Sequence, residues 1–350
     1  MGQARGAACL LASGLVIASA CAPKTPYVAP EAPAPPAFKE NANWKTGEPA
    51  DAALRGTWWE IFNDEPLNAL QARIDVSNQT LKQAEARFAE ARAAVGGARA
   101  ALYPQAAVAP AIARAEQSGN RAIPSVHQSY ADFLLPGSVA YEPDVWGRIR
   151  GSITASRTLA QATAADLETI NLSVRAELAV DYFSLRGLDR ERELLDSAVE
   201  AYERALELTQ NRFTGGLASQ ADVALAETQL ETTRAQAADL GVARAAFEHA
   251  IAVLVGDPPG TFALAPAPQS DAPPSIPAGL PSELLERRPD VAAAERRLAS
   301  ANADVGVARA AFYPIFSLTG TGGFESTSLS SWITGLSSFW SNSSIVSPSI

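Results

Sequence analysis

Few side chains in this sequence could do covalent or metal chemistry. It holds two cysteines, Cys9 and Cys21, and two histidines, His127 and His249. The histidines sit in different segments, and no Cys/His group has the spacing of a metal site. There is no glycine-rich phosphate loop and no nucleophile elbow. Catalysis has no foothold here, and neither a metal nor a cofactor is expected. Only the thiol of Cys21 stands at a distinctive position.

That position follows a secretory leader. Arg5 supplies a positive start, residues 7–18 form an apolar stretch, and small residues Ser19 and Ala20 precede Cys21. The stretch is too short to span a bilayer. Cys9 leaves with residues 1–20, so the mature chain keeps one cysteine at its own N-terminus, and no disulfide within the chain is expected. The segment Ile17-Ala18-Ser19-Ala20-Cys21 resembles a bacterial lipoprotein cleavage site, although Ala18 stands where that pattern prefers Leu. The resemblance implies lipidation of Cys21. Ala22 in place of Asp implies delivery to the outer membrane.

With 350 residues the length allows two domains. There are 38 acidic against 28 basic residues, interspersed along the chain. A nucleic-acid binder would need clustered basic surface, so that class is disfavoured. Past the leader no apolar run approaches the roughly 20 residues of a membrane-spanning helix.

Elements can be placed from periodicity. Residues 21–56 are rich in Pro and Ala and read as an extended tether. Trp58, Trp59, Ile61 and Phe62 mark entry into a folded region over 57–350. A helix is expected over 67–102, stopped by Tyr103-Pro104 because proline cannot continue the hydrogen-bond ladder. Strand-like runs follow at 105–117 and 129–143, flanking a loop with Gly119, Asn120 and Pro124. In the second run Phe133, Leu135, Val139 and Tyr141 fall on one side, and Asp132, Ser138 and Glu142 on the other. Such alternation suits a strand with lipid on one face and water on the other, although Pro110 and Pro136 are awkward inside a sheet.

No proline occurs between Pro143 and Pro258. One helix is expected over 148–213, a turn at Gly215-Gly216, and a second helix over 219–255. Leu195, Val199, Tyr202, Leu206, Thr209 and Phe213 step by threes and fours. Val223, Ala226, Leu230, Thr233, Ala237, Leu240, Arg244, Phe247, Ile251 and Leu254 do the same, which predicts an antiparallel helical hairpin with a coiled-coil seam. After a Pro/Ala-rich connection to about 281, a helix is expected over 282–312. Tyr313-Pro314 stops it, and a strand over 314–325 follows, with Phe316 and Leu318 alternating with Ser317 and Thr319. The tail beyond 326 is Ser-rich.

Self-comparison shows an internal repeat. Residues 84–104 align with 294–314 without a gap, and about two-thirds of the positions are identical. The shared residues include Val95-Gly96 with Val305-Gly306, Ala98-Arg99-Ala100-Ala101 with Ala308-Arg309-Ala310-Ala311, and both Tyr-Pro pairs. Each copy is a helix entering a strand. The expected helix over 148–213 is about 100 Å long, and those over 219–255 and 282–312 give about 55 and 45 Å. The two shorter helices placed end to end match the long one.

These features together resemble the TolC-like outer-membrane efflux factors, in particular the NodT-type lipoprotein branch. The matching pieces are Cys21, Trp58-Trp59 with Ile61-Phe62, and both Ala-Arg-Ala-Ala-x-Tyr-Pro segments. Glu142-Pro143-Asp144-Val145-Trp146-Gly147-Arg148 is similar to the family's strand-to-helix motif, with Pro143 in place of Leu. The segment from Arg212 through Gly215-Gly216-Leu217 to Asp222 is similar to its hairpin tip. The resemblance implies a mainly α fold with a β membrane part. Long antiparallel helices would form a periplasmic α-barrel, and three subunits would give four strands each to a twelve-stranded transmembrane barrel. Repeat 1 covers about 57–255 and repeat 2 starts at about 280, so the 350 residues are expected to be an incomplete channel subunit.

The implied function is a passive conduit for small molecules such as drugs, with a homotrimer, a periplasmic adaptor, a resistance-nodulation-division pump and outer-membrane lipid as partners. Implied site residues are Cys21 for lipidation, Gly215, Gly216 and Leu217 for adaptor docking, and Asp222 for the entrance-gate network. Phe133, Leu135, Val139, Phe316 and Leu318 are the candidates for facing lipid. Alternatives are a periplasmic adaptor lipoprotein, which should carry one hairpin between paired lipoyl half-motifs, a channel for type I protein secretion, and a non-conducting coiled-coil scaffold.

Overall fold

The computed structural model describes residues 26–28, 56–116, 129–267, 274 and 288–347. The leader, Cys21, most of the tether, His127 and the loop with Gly119, Asn120 and Pro124 lie outside the described residues.

Trp58–Phe62 forms a 3-10 turn, and two helices follow, α1 (Glu65–Ser77) and α2 (Gln79–Ala100). The single helix expected over 67–102 is therefore interrupted. The cause is Asn78, whose backbone is extended (φ −64°, ψ 120°). Its N–H still bonds Ile74 O, while its side-chain oxygen accepts the Leu81 N–H at 2.8 Å and so caps α2. The same amide donates to Leu254 O at 2.8 Å. Asparagine at a boundary competes with the helix ladder through its own side chain, which periodicity alone does not register.

After Tyr103-Pro104 come β1 (Gln105–Val108) and β2 (Ala111–Glu116), then β3 (Ser129–Tyr141). The long helix α3 (Arg148–Thr214, 67 residues) and its return α4 (Gln220–Val255) fall within a residue of the expected bounds. The fifth helix, α5 (Pro289–Ala310), leads to β4 (Ile315–Ser326), and β5 (Ser338–Ser347) closes the order. Helix α5 was expected from 282, and residues 282–287 lie outside the described residues. The repeat is wider than the sequence match: α2 and α5 each have 22 residues, and both helices and the strands that follow begin 210 positions apart.

The chain divides into two compact units, one of Met1–Ala34, Ala89–Thr163 and Ala293–Ile350, the other of Pro35–Phe88 and Ala164–Ala292. The second unit has a conventional core, with Leu67, Ile74, Leu178, Tyr182, Leu185, Ile251 and Val255 almost inaccessible. Tyr182 donates its hydroxyl to Asp64, which also caps α1 by accepting the Leu67 N–H at 2.9 Å. Burial raises the Tyr182 pKa, which keeps that hydroxyl a donor. Arg175 lies over the Trp59 ring at 4.6 Å and pairs with Asp75. Helix α4 ends at Gly256, where φ is 77° and an added Cβ would sit 2.7 Å from Ser77 Cβ. Only glycine meets both demands.

The first unit contains the sheet. All neighbours are antiparallel, in the order β1-β3-β4-β5 with β2 also on β3. The strand expected over 105–117 is split by Ala109-Pro110, yet both halves keep one register against β3, from Gln105 opposite Ala140 to Glu116 opposite Ser129. Ala109 N–H donates to Pro136 O at 3.3 Å. A residue in an antiparallel ladder directs both polar groups to the same neighbour, so the N–H that Pro136 lacks belongs on the β1/β2 side. Only Pro136 therefore interrupts the ladder, Pro110 falls where the missing N–H would point to the free edge, and the β3–β4 bonds are spared. Opposite Pro136 stands Gly323, where any side chain would run into Leu135 O. The Ser-rich tail, to which periodicity assigned no strand, contains the ten-residue β5.

Candidate functional site

Register sorts the sheet into two faces, because residues directly opposite share a side. Leu135 is opposite Phe324, Val139 opposite Gly320 and Tyr141 opposite Leu318. Leu318 is in turn opposite Ser344, and Phe316 opposite Val346. Phe133, Leu135, Val139, Tyr141, Phe316, Leu318 and Phe324 therefore lie on one face, joined by Val108 and Ile112, which share positions with Gly137 and Phe133. Asp132, Ser138, Ser317, Thr319, Thr321 and Ser343 occupy the other face. The five sequence candidates thus come together across two strands. Val139 and Leu318 are about half exposed, at 48% and 47%. Strands β3 and β4 have 13 and 12 residues, and a tilted strand needs about 9–11 to cross a bilayer. Among the described residues no helix is long and apolar enough to cross a membrane.

Below the sheet the turn from β3 to α3 is held by charge. Arg148 grips Glu142 through two nitrogens at 2.8–3.0 Å. Asp144 accepts the N–H groups of Ile149 and Arg150, both at 3.0 Å, and so caps α3. Trp146 stacks on Tyr313 at 4.8 Å and donates its indole N–H to Pro314 O at 2.8 Å. The expected strand-to-helix motif is thus the clasp of the second Tyr-Pro junction.

The hairpin tip follows from glycine geometry. Helix α3 ends with Leu217 N–H on Arg212 O (2.8 Å) and Gly216 N–H on Phe213 O (2.9 Å), the paired bonds of a Schellman motif. Gly216 takes the left-handed conformation (φ 73°), whereas Gly215 does not. Leu217 is 84% exposed at the apex. Ser219 and Asp222 form a reciprocal capping box at the start of α4. The N–H and hydroxyl of Ser219 hold the Asp222 carboxyl below its usual pKa.

Sequence reasoning missed one buried network. Asp189 accepts from Arg244 at 2.7 Å, Arg186 at 3.1 Å and the Ala267 N–H at 3.0 Å. Burial pushes its carboxyl up, but these donors outweigh it and hold the pKa below the ordinary value. Arg244 also reaches Leu264 O at 2.6 Å, and Arg186 reaches Ala265 O at 2.8 Å. The group straps the chain after α4 onto both hairpin helices. Arg244 at a seam position was the available signal. Among the described residues no group of acids, histidines or cysteines could hold a metal.

A family model for outer membrane efflux proteins matches residues 71–257 and 280–350. The antibiotic efflux pump outer membrane protein ArpC of Pseudomonas putida is 29% identical, over 94% of this chain and 69% of its own length. Outer membrane protein OprJ of Pseudomonas aeruginosa is 31% identical, over 94% and 69%. Among solved structures, the outer-membrane channel OprN has a TM-score of 0.81 at 29% identity, covering 94% of this chain and 73% of that one. The Campylobacter jejuni CmeC channel has a TM-score of 0.75 at 26% identity, covering 92% and 70%. Paired long helices feeding a sheet with one apolar face define an outer-membrane efflux channel of TolC-like fold. The chain belongs to the outer membrane efflux protein family.

Proposed function

We propose that the chain is one subunit of a trimeric, lipid-anchored conduit of the NodT-type branch, which passes small molecules from the periplasm to the exterior. The carrying observation is the two-faced sheet, whose apolar side suits lipid and whose Ser/Thr/Asp side suits a water-filled lumen. In this reading Phe133, Leu135, Val139, Phe316 and Leu318 face lipid. Cys21 carries the lipid anchor. Gly215, Gly216 and Leu217 offer an adaptor the hairpin apex, where Leu217 is the protruding apolar group. Asp222 enters the gate network through the carboxylate that closes the capping box.

Energy comes from an inner-membrane pump of the resistance-nodulation-division type, since nothing in a passive lumen supplies it. Relatives named for antibiotic and toluene efflux support small, partly apolar cargo. The test is single-channel recording of the assembled protein in planar bilayers. Discrete conductance steps are expected, and their absence from protein that assembles as trimers would refute the conduit. Drug susceptibility of a deletion strain, restored by the native chain and less well by Leu217→Asp, tests the docking apex.

A further inference from the structure

We infer that the β4–β5 connection, residues 327–337, is a lipid-inserting loop that seats the sheet in the interfacial layer of the bilayer. It lies at the end of β4 remote from Tyr313-Pro314. Leu329, Ile333 and Leu336 are 65%, 66% and 102% exposed. Three large apolar side chains held open to water on one short loop need a covering phase. The chemistry of the segment says which. From Ser326 to Ser347 there is no charged residue, so burial there strands no ion.

The loop satisfies several of its hydroxyls and carbonyls from within, whereas the buried Trp332 indole N–H has no partner in the protein. Ser337 Oγ donates to Ser331 O at 2.6 Å, Thr334 Oγ1 to the same carbonyl at 3.0 Å, and Ser338 Oγ to Gly335 O at 2.7 Å. Ser326 and Ser331 share a hydroxyl bond at 2.8 Å. Each carbonyl occupied from within, as at Ser331 and Gly335, lowers the cost of moving the loop out of bulk water.

Its direction is set by Trp332, which packs on Phe133 at 5.6 Å. Phe133 belongs to the apolar face of the sheet, so the loop extends that face past the last strand residues. Indole rings are favoured at the membrane–water interface. The occupant is therefore the boundary layer of the bilayer, reached from the lipid side. This rests on the reading of that face as lipid-facing.

The test labels single cysteines, Leu336→Cys in the loop and Leu318→Cys in the strand, with an environment-sensitive fluorophore in the full protein reconstituted into vesicles. The chain with neither substitution gives the labelling background. Lipids brominated near the headgroup, lipids brominated deep in the acyl chain, and aqueous iodide serve as quenchers. The inference predicts several-fold stronger quenching at 336 by shallow bromine than by iodide, and strongest quenching at 318 by deep bromine. If 318 responds to bromine while 336 responds to iodide, the loop is in water and the inference fails with the lipid-facing sheet intact. An emission at 336 that is blue-shifted yet untouched by bromine means burial against protein, either another copy or the lumen, and also overturns it. If 318 ignores bromine, the lipid-facing reading falls and the inference with it.

Discussion

The two Tyr-Pro junctions share a sequence and a turn but differ in what surrounds them. Tyr103 N–H bonds Ala100 O and Tyr313 N–H bonds Ala310 O, both at 3.1 Å. Around the second junction the packing is closer: Trp146 stacks on Tyr313, which is 37% exposed, Val307 presses on Gly151, Ser300 donates to Ala155 O at 2.9 Å, and Ala310 is buried. The equivalents in the first copy are Tyr103, 68% exposed, Gly97 with open space around its Cα, and exposed Ala100. The local turn is written by the repeat, whereas its stability is written by the neighbour. Here the neighbour is the start of α3, and only the second copy has it.

The largest test of this difference removes the clasp. Trp146→Ala loses a ring stack and an indole hydrogen bond, and about 2–4 kcal/mol of stability should go with it. Tyr313→Ala, which loses the stack but leaves the indole bond to Pro314 O, should cost about 1–2 kcal/mol, and Tyr103→Ala less than about 0.5 kcal/mol in the isolated subunit. Denaturant unfolding of the three variants measures this, and equal losses at the two tyrosines would end the asymmetry. A second test concerns volume. A Cβ on Gly151 would sit 2.9 Å from Val307 Cγ2, so Gly151→Val should cost about 1–3 kcal/mol and Val307→Ala should restore part of it. Gly97→Ala, in the open position that matches Val307, should stabilise by about 0.5–1 kcal/mol through helix propensity. Thermal melts that give both glycine variants the same sign would contradict the account.

The sequence made much of this architecture legible, and the reasons are physical. Between Leu195 and Leu240 the expected seam residues are withdrawn from solvent, Leu230, Thr233 and Ala237 most of all, except Phe213, which is 42% exposed beside the tip. A 67-residue helix without proline announces itself, and Tyr-Pro stops a helix in either copy. Asn78 was missed because a capping side chain leaves the apolar period intact on both sides. Strand β5 was under-read because Ser341, Ser343 and Ser344 put hydroxyls on both faces and blur the alternation. The Asp189 network was invisible because its carbonyl acceptors, Leu264 and Ala265, carry no polar side chain.

Smaller effects sharpen the comparison at the helix starts. Replacing Asp144 by Ala uncaps α3 beneath the clasped junction and should cost about 1 kcal/mol. The start of α5 carries Arg288 and Asp290, where the first copy has Asn78 and Thr80. The Arg288 guanidinium lowers the Asp290 pKa to about 2. A depressed folded value means its contribution is present above the unfolded pKa near 3.8 and is lost as pH falls towards about 2. With both groups half exposed, solvent screening keeps this contribution small. Asp290→Asn should flatten that part of the stability–pH curve slightly, and substitutions at Thr80 should leave it unchanged.

The sorting of β3 into a lipid side and a water side is tested most directly by its chemical accessibility. Single cysteines at Leu135, Ser138, Val139, Ala140 and Tyr141 in the assembled, membrane-embedded protein would be offered a charged, membrane-impermeant maleimide. The account predicts reaction at 138 and 140 and protection at 135, 139 and 141. Uniform reactivity, or protection at 138 and 140 with reaction at 139, would contradict it.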